Sequence, residues 1–386
     1  MKGSPSDADR VRSLREMLTA TGAGIYLATH VAGPLPAESM TAVHESDELE
    51  LRIGRVGRDR ADDLELRERE ARAAVAAAVN ASFERVVLSH GAAEGARSVA
   101  LEVLASRAGA EPRVVIIEGV AVPVMRAVEH AAHAARARVE VIAEAPQIMA
   151  ADVALVVMAH VDPLGRLADP SPVASAAHRA GARLLVDASL SVGALPLEAS
   201  ELHMDALVAD VHHWLLGPAA LALVWLSPAL GGEVPGRLQE ASGPFGRGQL
   251  LSLARSVGWL LMYVGLPWVV ARTARLSKQL QAGLAAIDGV EVMAQAGAHA
   301  ALLTFRIRGW DAEQTGDELS RSIFAITDTD PEADLVRVSV GAWNREDELT
   351  RFIERVAELA ASTPATLPRK PSLTVISGPR DHGVGR

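Results

Sequence analysis

Several short apolar runs in this chain end on groups that can do chemistry. The run at 85–89 leads to His90 and the turn Gly91-Ala92-Ala93, and that at 113–117 leads to Glu118. The run at 151–159 leads to His160 and Asp162, that at 182–186 to Asp187 and Ser189, and that at 204–209 to Asp210, His212 and His213. An imidazole changes charge near neutral pH and can move protons. A carboxylate at the end of a buried strand, such as Asp187, needs a hydrogen-bonding or charged partner. Metal binding is the other chemistry these types allow, with His212 and His213 joined by His90, His160, Asp187 or Asp210. Two features argue against it. Neighbouring side chains of an extended segment point to opposite faces, and no His-x-x-x-His spacing occurs, so no metal is expected.

Those groups matter together only if one scaffold gathers them. Apolar strands alternate with helices from about residue 85 to 227, with a strand, tight turn and helix over 85–105, a helix reaching Arg136 and one at 170–181. Strands that are apolar throughout and alternate with helices predict a largely parallel sheet covered on both faces. In such a sheet, ligands bind beyond the carboxyl ends of the strands, where the polar groups lie. After about 266 the pattern changes to a long helix (267–287), the segments "GVEVMAQA" and "AALLTFRIRG", a polar helix (312–322), "LVRVSVGAW" and a final helix (345–361), a smaller α+β lobe. The expected organisation is an N-terminal segment (1–35) packing with the small domain, a large domain (36–266), a small domain (267–363) and a mobile tail (364–386) rich in Pro, Gly and Ser.

Composition narrows the function classes. With 49% hydrophobic residues in 386, a sizeable core is possible. A net charge of −10 argues against nucleic acid or an anionic membrane surface as partner. The absence of cysteine excludes disulfides, thiolate nucleophiles and Cys-rich metal sites. No apolar leader is apparent at the start, and the apolar stretch 257–271 is too broken for a membrane span; it reads as a buried helix in a cytoplasmic protein. Trp259, Met262 and Trp268 are expected in the core or a dimer interface.

One long segment, "LLVDASLSVGALPLEASELHMDALVADVHHWLLGPAALALVWLSP", together with "IYLATHVAGPLP", "SHGAAEGARSVALEVL" and "VRVSVGAWNREDELTRFIERV", resembles the class V aminotransferases among fold-type I pyridoxal phosphate enzymes, the group of cysteine desulfurases and isopenicillin N epimerase-like proteins. The likeness runs in consistent order over about 20–360. It implies a large domain with a mostly parallel seven-stranded sheet, a smaller C-terminal α+β domain, and a homodimer with active sites near the seam. It also implies a cofactor whose ring nitrogen pairs with Asp187 and whose phosphate sits on Gly91, Ala92 and Ala93. Arg337 would hold a substrate carboxylate, with Thr29, His30 and His160 nearby.

The departures are as informative as the matches. The residue that should carry the Schiff-base lysine is His213. The chain's only lysines are Lys2, Lys278 and Lys370. The phosphate-binding hydroxyl is lost at Ala93, the stacking imidazole is missing near Gly119 and Val120, and the glutamine that reaches the ring hydroxyl is Leu190. The serine before the His-Lys pair is Asp210, whose charge repels a phosphate. The resemblance, so broken, implies a relative that does not hold pyridoxal phosphate in the usual way. The reading is an enzyme acting by acid/base chemistry on a small amino or keto acid, with His213 as acid/base, Asp187 orienting it, and His212 in the polar floor. Two alternatives stay open: non-covalent use of pyridoxal or pyridoxamine phosphate with His213 as general base, and a non-catalytic partner paired with an active homologue. Each residue also has a plainer role. His213 and His30 could be satisfied loop histidines, Asp187 a loop fastener and Arg337 an ordinary salt bridge.

Overall fold

The computed structural model describes residues 6–107, 111–144, 149–293 and 300–367. The expected tail beyond 367 and two of the three lysines, Lys2 and Lys370, lie outside them. The strands are β1 Ile25–Tyr26, β2 Val86–Ser89, β3 Arg113–Ile117, β4 Arg138–Ile142, β5 Val153–Ala159, β6 Arg183–Asp187, β7 Ala206–Asp210 and β8 Ala222–Leu226, then β9 Val290–Val292, β10 Leu302–Ile307, β11 Ala325–Ile326, β12 Asp328–Asp330 and β13 Leu335–Ser339.

The large sheet has seven strands in the order β2-β8-β7-β6-β5-β3-β4, and only β8 runs against the rest. Its strands are apolar throughout because both faces are covered. Leu184, Val186, Leu207, Ala209, Leu223 and Trp225 enter one core, while the alternating Leu185, Ala206, Val208, Ala222, Val224 and Leu226 enter the other. The twofold period of a strand thus feeds two hydrophobic layers. β4 escapes the pattern reading. It is an edge strand, with Val139 and Val141 exposed, so no apolar run marks it.

The helix Ala92–Ala105 brings the first site element into place. Its buried face starts with the small residues Ala92, Gly95 and Ala96 before Val99, Val103 and Leu104, and Gly95 lets it press on the sheet: a Cβ there would stand 2.6 Å from Val224 Cγ2 and 2.9 Å from Ser89 Oγ. Gly91, at φ 92°, turns the chain from β2 into that helix in a conformation that favours glycine.

A four-stranded antiparallel sheet, β12-β13-β10-β9, forms the smaller lobe with the helices Leu266–Ala285, Ala312–Ile323 and Glu346–Ala360 around it. The N-terminal segment joins this lobe: β1 pairs in parallel with β11, and Ala28 bridges to Ser339. Residues 257–271 do not form the single buried helix expected of them. The chain breaks at Gly265 (φ 87°), where the preceding and following helices meet at 84°. Met262 and Tyr263 stand exposed at the break, so Met262 is not a core residue. Among the described residues no single helix is long and apolar enough to cross a membrane.

Candidate functional site

The carboxyl ends of β5, β6 and β7 open into a cavity of about 270 Å³. His30, Gly91, Ala92, Ala93, Asp187, Ser189, Asp210 and His213 line it, together with Gly119 and Leu190. Six chain segments far apart in sequence therefore meet there, at the strand ends where an open α/β sheet binds ligands.

At its base, the Asp187 side chain is buried. Its Oδ1 accepts hydrogen bonds from the Ser189 amide (3.1 Å) and the Ser189 hydroxyl (2.7 Å). Burial pushes its carboxyl above the usual carboxylate range; the Ser189 hydrogen bonds oppose this and the nearby Asp210 charge adds to it. The Ser189 hydroxyl in turn accepts from the Asp210 amide at 3.1 Å.

Opposite lies the start of the helix Ala92–Ala105. A helix N-terminus presents unpaired amides and a partial positive charge, the feature that would receive a phosphate. Here Asp210 Oδ1 accepts from the Ala92 amide at 2.9 Å. The chain's own carboxylate holds the place where an anion would bind.

His213 closes the third side. The loop that carries it is crowded. Leu216 takes a left-handed conformation (φ 56°), Trp214 is buried with its indole donating to the Val340 carbonyl at 2.9 Å, and the Gly33 amide donates to the His212 carbonyl at 2.7 Å. Gly33 is required there, since a Cβ would overlap the His213 carbonyl oxygen. His213 is 7% exposed. Burial, then the charge of His212, lowers its pKa from 6.5 to about 3. Its Nδ1, the Nδ1 of His212 and the Thr29 hydroxyl are buried without a hydrogen-bond partner among the described residues.

The expectation that His212 and His213 point apart is overturned. Residues 211–215 form a turn, not an extended segment, and the two rings lie 4.1 Å apart, tilted by 40°. Burial favours the neutral form of His213 and so makes it a weaker proton acceptor than the acid/base role expected of it calls for.

Arg337 is not free to hold a substrate. It faces Asp328 across the β12–β13 ladder, and its Nε and Nη2 both lie 2.8 Å from Asp328 Oδ2. His30 completes the cluster, with Nδ1 2.8 Å from the Ser339 hydroxyl and Nε2 3.3 Å from Asp328. Burial would raise the Asp328 carboxyl, but the His30 hydrogen bond and the Arg337 charge hold it below its ordinary value. Burial likewise keeps His30 below its ordinary value. His160 lies outside the cavity lining, bonded through Nδ1 to the Ser191 hydroxyl at 2.9 Å. Asp162 fastens its own loop, accepting from the Leu164 and Arg166 amides and from Arg166 Nε. His90 is exposed against the Phe245 ring.

Sequence reasoning did not single out Asp328, although its place opposite Arg337 follows from a tight two-strand register. A larger groove of about 660 Å³ lies between the N-terminal helix and the small lobe. Its guanidinium groups are already committed: Arg12 to Asp9, Arg15 to Glu348, Arg272 to Asp7, and Arg345 to Asp347. It is not the chemical centre.

The residues present do not fit pyridoxal phosphate. Lys278, the one described lysine, is exposed on the helix Leu266–Ala285 of the other lobe. The phosphate cup is capped by Asp210, and among the described residues no Phe, Tyr or Trp lines the cavity, whose rings are the imidazoles of His30 and His213.

The strand order, the single reversed strand and the cleft at the strand ends define an α/β protein with the architecture of fold-type I pyridoxal-phosphate enzymes. The chain belongs to the class V aminotransferase family, whose model matches residues 25–239. Similar solved structures include a lysine-to-alanine variant of C-DES with glycine covalently linked to its PLP cofactor (TM-score 0.79, 16% identity, 92% of this chain and 99% of that one). Another is the apo cysteine desulfurase of Thermococcus onnurineus NA1 (TM-score 0.78, 19% identity, 94% and 100%). At these identities the likeness shows the fold. A kynureninase from Pseudomonas fluorescens is 31% identical over 112 residues, 28% of this chain; the match spans 26% of the kynureninase's length.

Proposed function

We propose that this family member works without pyridoxal phosphate, and that its cleft takes a small ligand offering positive charge or hydrogen-bond donors. The observation that carries the reading is the hydrogen bond from the Ala92 amide to Asp210. A carboxylate at a helix start gains about 0.3–1 kcal/mol, and up to about 2 when partly buried. A phosphate dianion about 4 Å from that carboxylate would meet roughly 8 kcal/mol of repulsion at an effective dielectric of 20. Repulsion exceeds anything the helix end can return. Pyridoxamine phosphate carries the same phosphate and meets the same obstacle, which argues against the amine form as well.

The substrate polarity changes with it. Arg337, the group that would have taken a carboxylate, is neutralised by Asp328. The cavity instead carries Asp187 and Asp210 and a neutral imidazole. An amine suits that lining better than the keto or amino acid carboxylate expected from the sequence. In this reading Asp187 exchanges the proton: burial raises its carboxyl above its ordinary value, the direction a general acid needs, whereas burial lowers His213. The homodimer implied by family membership is part of the proposal, and exposed Leu51, Ile53 and Val56 around the end of the helix Ala37–Ile53 supply an apolar patch for it.

A thermal-shift panel of small amines and small carboxylates tests the reading. Amines should raise the melting temperature of the wild-type protein and lose that effect in Asp187→Asn; a panel in which only carboxylates stabilise would refute it.

A further inference from the structure

Asp210, His212 and His213 converge in a way the cleft's other polar groups do not. One donor atom from each lies within 4.8 Å of the other two. Both imidazoles have a buried Nδ1 with no partner among the described residues, and His213 is more than nine-tenths buried. Leaving such a nitrogen unpaired costs about 1–3 kcal/mol, so two side by side indicate a ligand that the polypeptide does not supply. The Asp210 carboxylate is also pre-positioned. Its Oδ1 is held by the Ala92 amide, in the manner of the outer hydrogen bonds that fix a metal-binding carboxylate.

We propose that Asp210, His212 and His213 form a binding site for a divalent transition-metal cation of the zinc class, with an open coordination position facing the cleft. Two imidazoles and one carboxylate are the donor set of three-ligand sites that leave a position for water or substrate. Hard cations such as magnesium and calcium prefer oxygen alone, and sites for copper(I) prefer sulfur. Donors around a tetrahedral zinc ion lie about 3.4 Å apart, so modest side-chain rotation closes the present triangle. Asp210 and His213 line the cavity, which places the open position where a small ligand arrives. The Asp210 charge that repels a phosphate attracts a dication. The site rests on the reading that no phosphate group occupies the start of the helix Ala92–Ala105.

Chelator-stripped full-length protein, dialysed against cobalt(II), tests this by visible absorption and metal analysis, with zinc as competitor. The expected result is one cobalt ion per chain, ligand-field bands that zinc abolishes, and affinity at least about 100-fold weaker in His213→Gln and His212→Gln. Asp210→Asn, which keeps the side-chain shape, should also weaken binding, and His90→Gln, whose ring lies against Phe245, should bind as wild type. Wild-type protein that retains no metal, or His213→Gln and Asp210→Asn that bind as tightly as wild type, overturns the site. A parallel titration with pyridoxal phosphate separates the two readings. Metal-free protein that also ignores the cofactor sinks the metal site alone; protein that takes up the cofactor sinks both.

Discussion

Restoring a lysine should not by itself restore the cofactor. In His213→Lys the amine returns, but Asp210 still holds the Ala92 amide and faces any incoming phosphate. The full repulsion of roughly 8 kcal/mol at 4 Å applies to an unscreened dianion; halving it for the cavity's access to water leaves about 4 kcal/mol, close to a thousandfold in affinity. Asp210→Ser with His213→Lys removes that charge and frees the helix start, at a capping cost of about 1 kcal/mol. The assay is a titration with pyridoxal phosphate followed by absorbance and by quenching of tryptophan fluorescence. The double variant should turn yellow and bind about a thousandfold more tightly than His213→Lys. Equal binding by the single and double variants would refute the claim that Asp210 is the barrier.

Other consequences follow from the same geometry. His213 has its folded pKa lowered from 6.5 to about 3, so between those values the unfolded chain binds the extra proton; stability should be lost as pH falls from 6.5 to 3, by up to roughly 5 kcal/mol from this group, and denaturant titrations of His213→Gln should show a shallower slope across that window. Gly33→Ala should destabilise by about 2–3 kcal/mol in chemical denaturation, because the added methyl overlaps the His213 carbonyl. Asp328→Ala with Asp330→Ala should release Arg337, whose Nη1 also lies 3.8 Å from Asp330 Oδ2, and create affinity for small carboxylates, seen as saturable calorimetric binding absent from wild type. Light scattering should report a mass of two chains, falling towards one when Leu51 and Ile53 are both changed to Asp.

Much of this was legible in the sequence, for identifiable reasons. Strands such as Val153–Ala159 and Ala206–Asp210 are buried on both faces, so an apolar run betrays them. β4 lies at an edge with an exposed surface and gave no such signal. Asp187 and the Gly91-Ala92-Ala93 turn were found because strand ends carry ligands. What sequence could not supply were pairings across distance. Asp210 and Ala92 are 118 residues apart, and the suspicion that Asp210 repels a phosphate did not extend to its capping the helix. Arg337 looked like a free anchor because its partner, Asp328, is recognisable only once the ladder register is known. Strand geometry predicts divergent side chains for the adjacent histidines, whereas residues 211–215 turn and bring the tilted rings within 4.1 Å of each other. Gly265 reads as an interruption, but an 84° break with exposed Met262 and Tyr263 depends on packing that periodicity does not record.

The most direct measurement is equilibrium titration of the unmodified protein with pyridoxal phosphate. A helix start already held by Asp210 predicts no saturable uptake into the millimolar range and no coloured species. Micromolar binding by the wild-type chain, abolished by competing inorganic phosphate, would contradict the account.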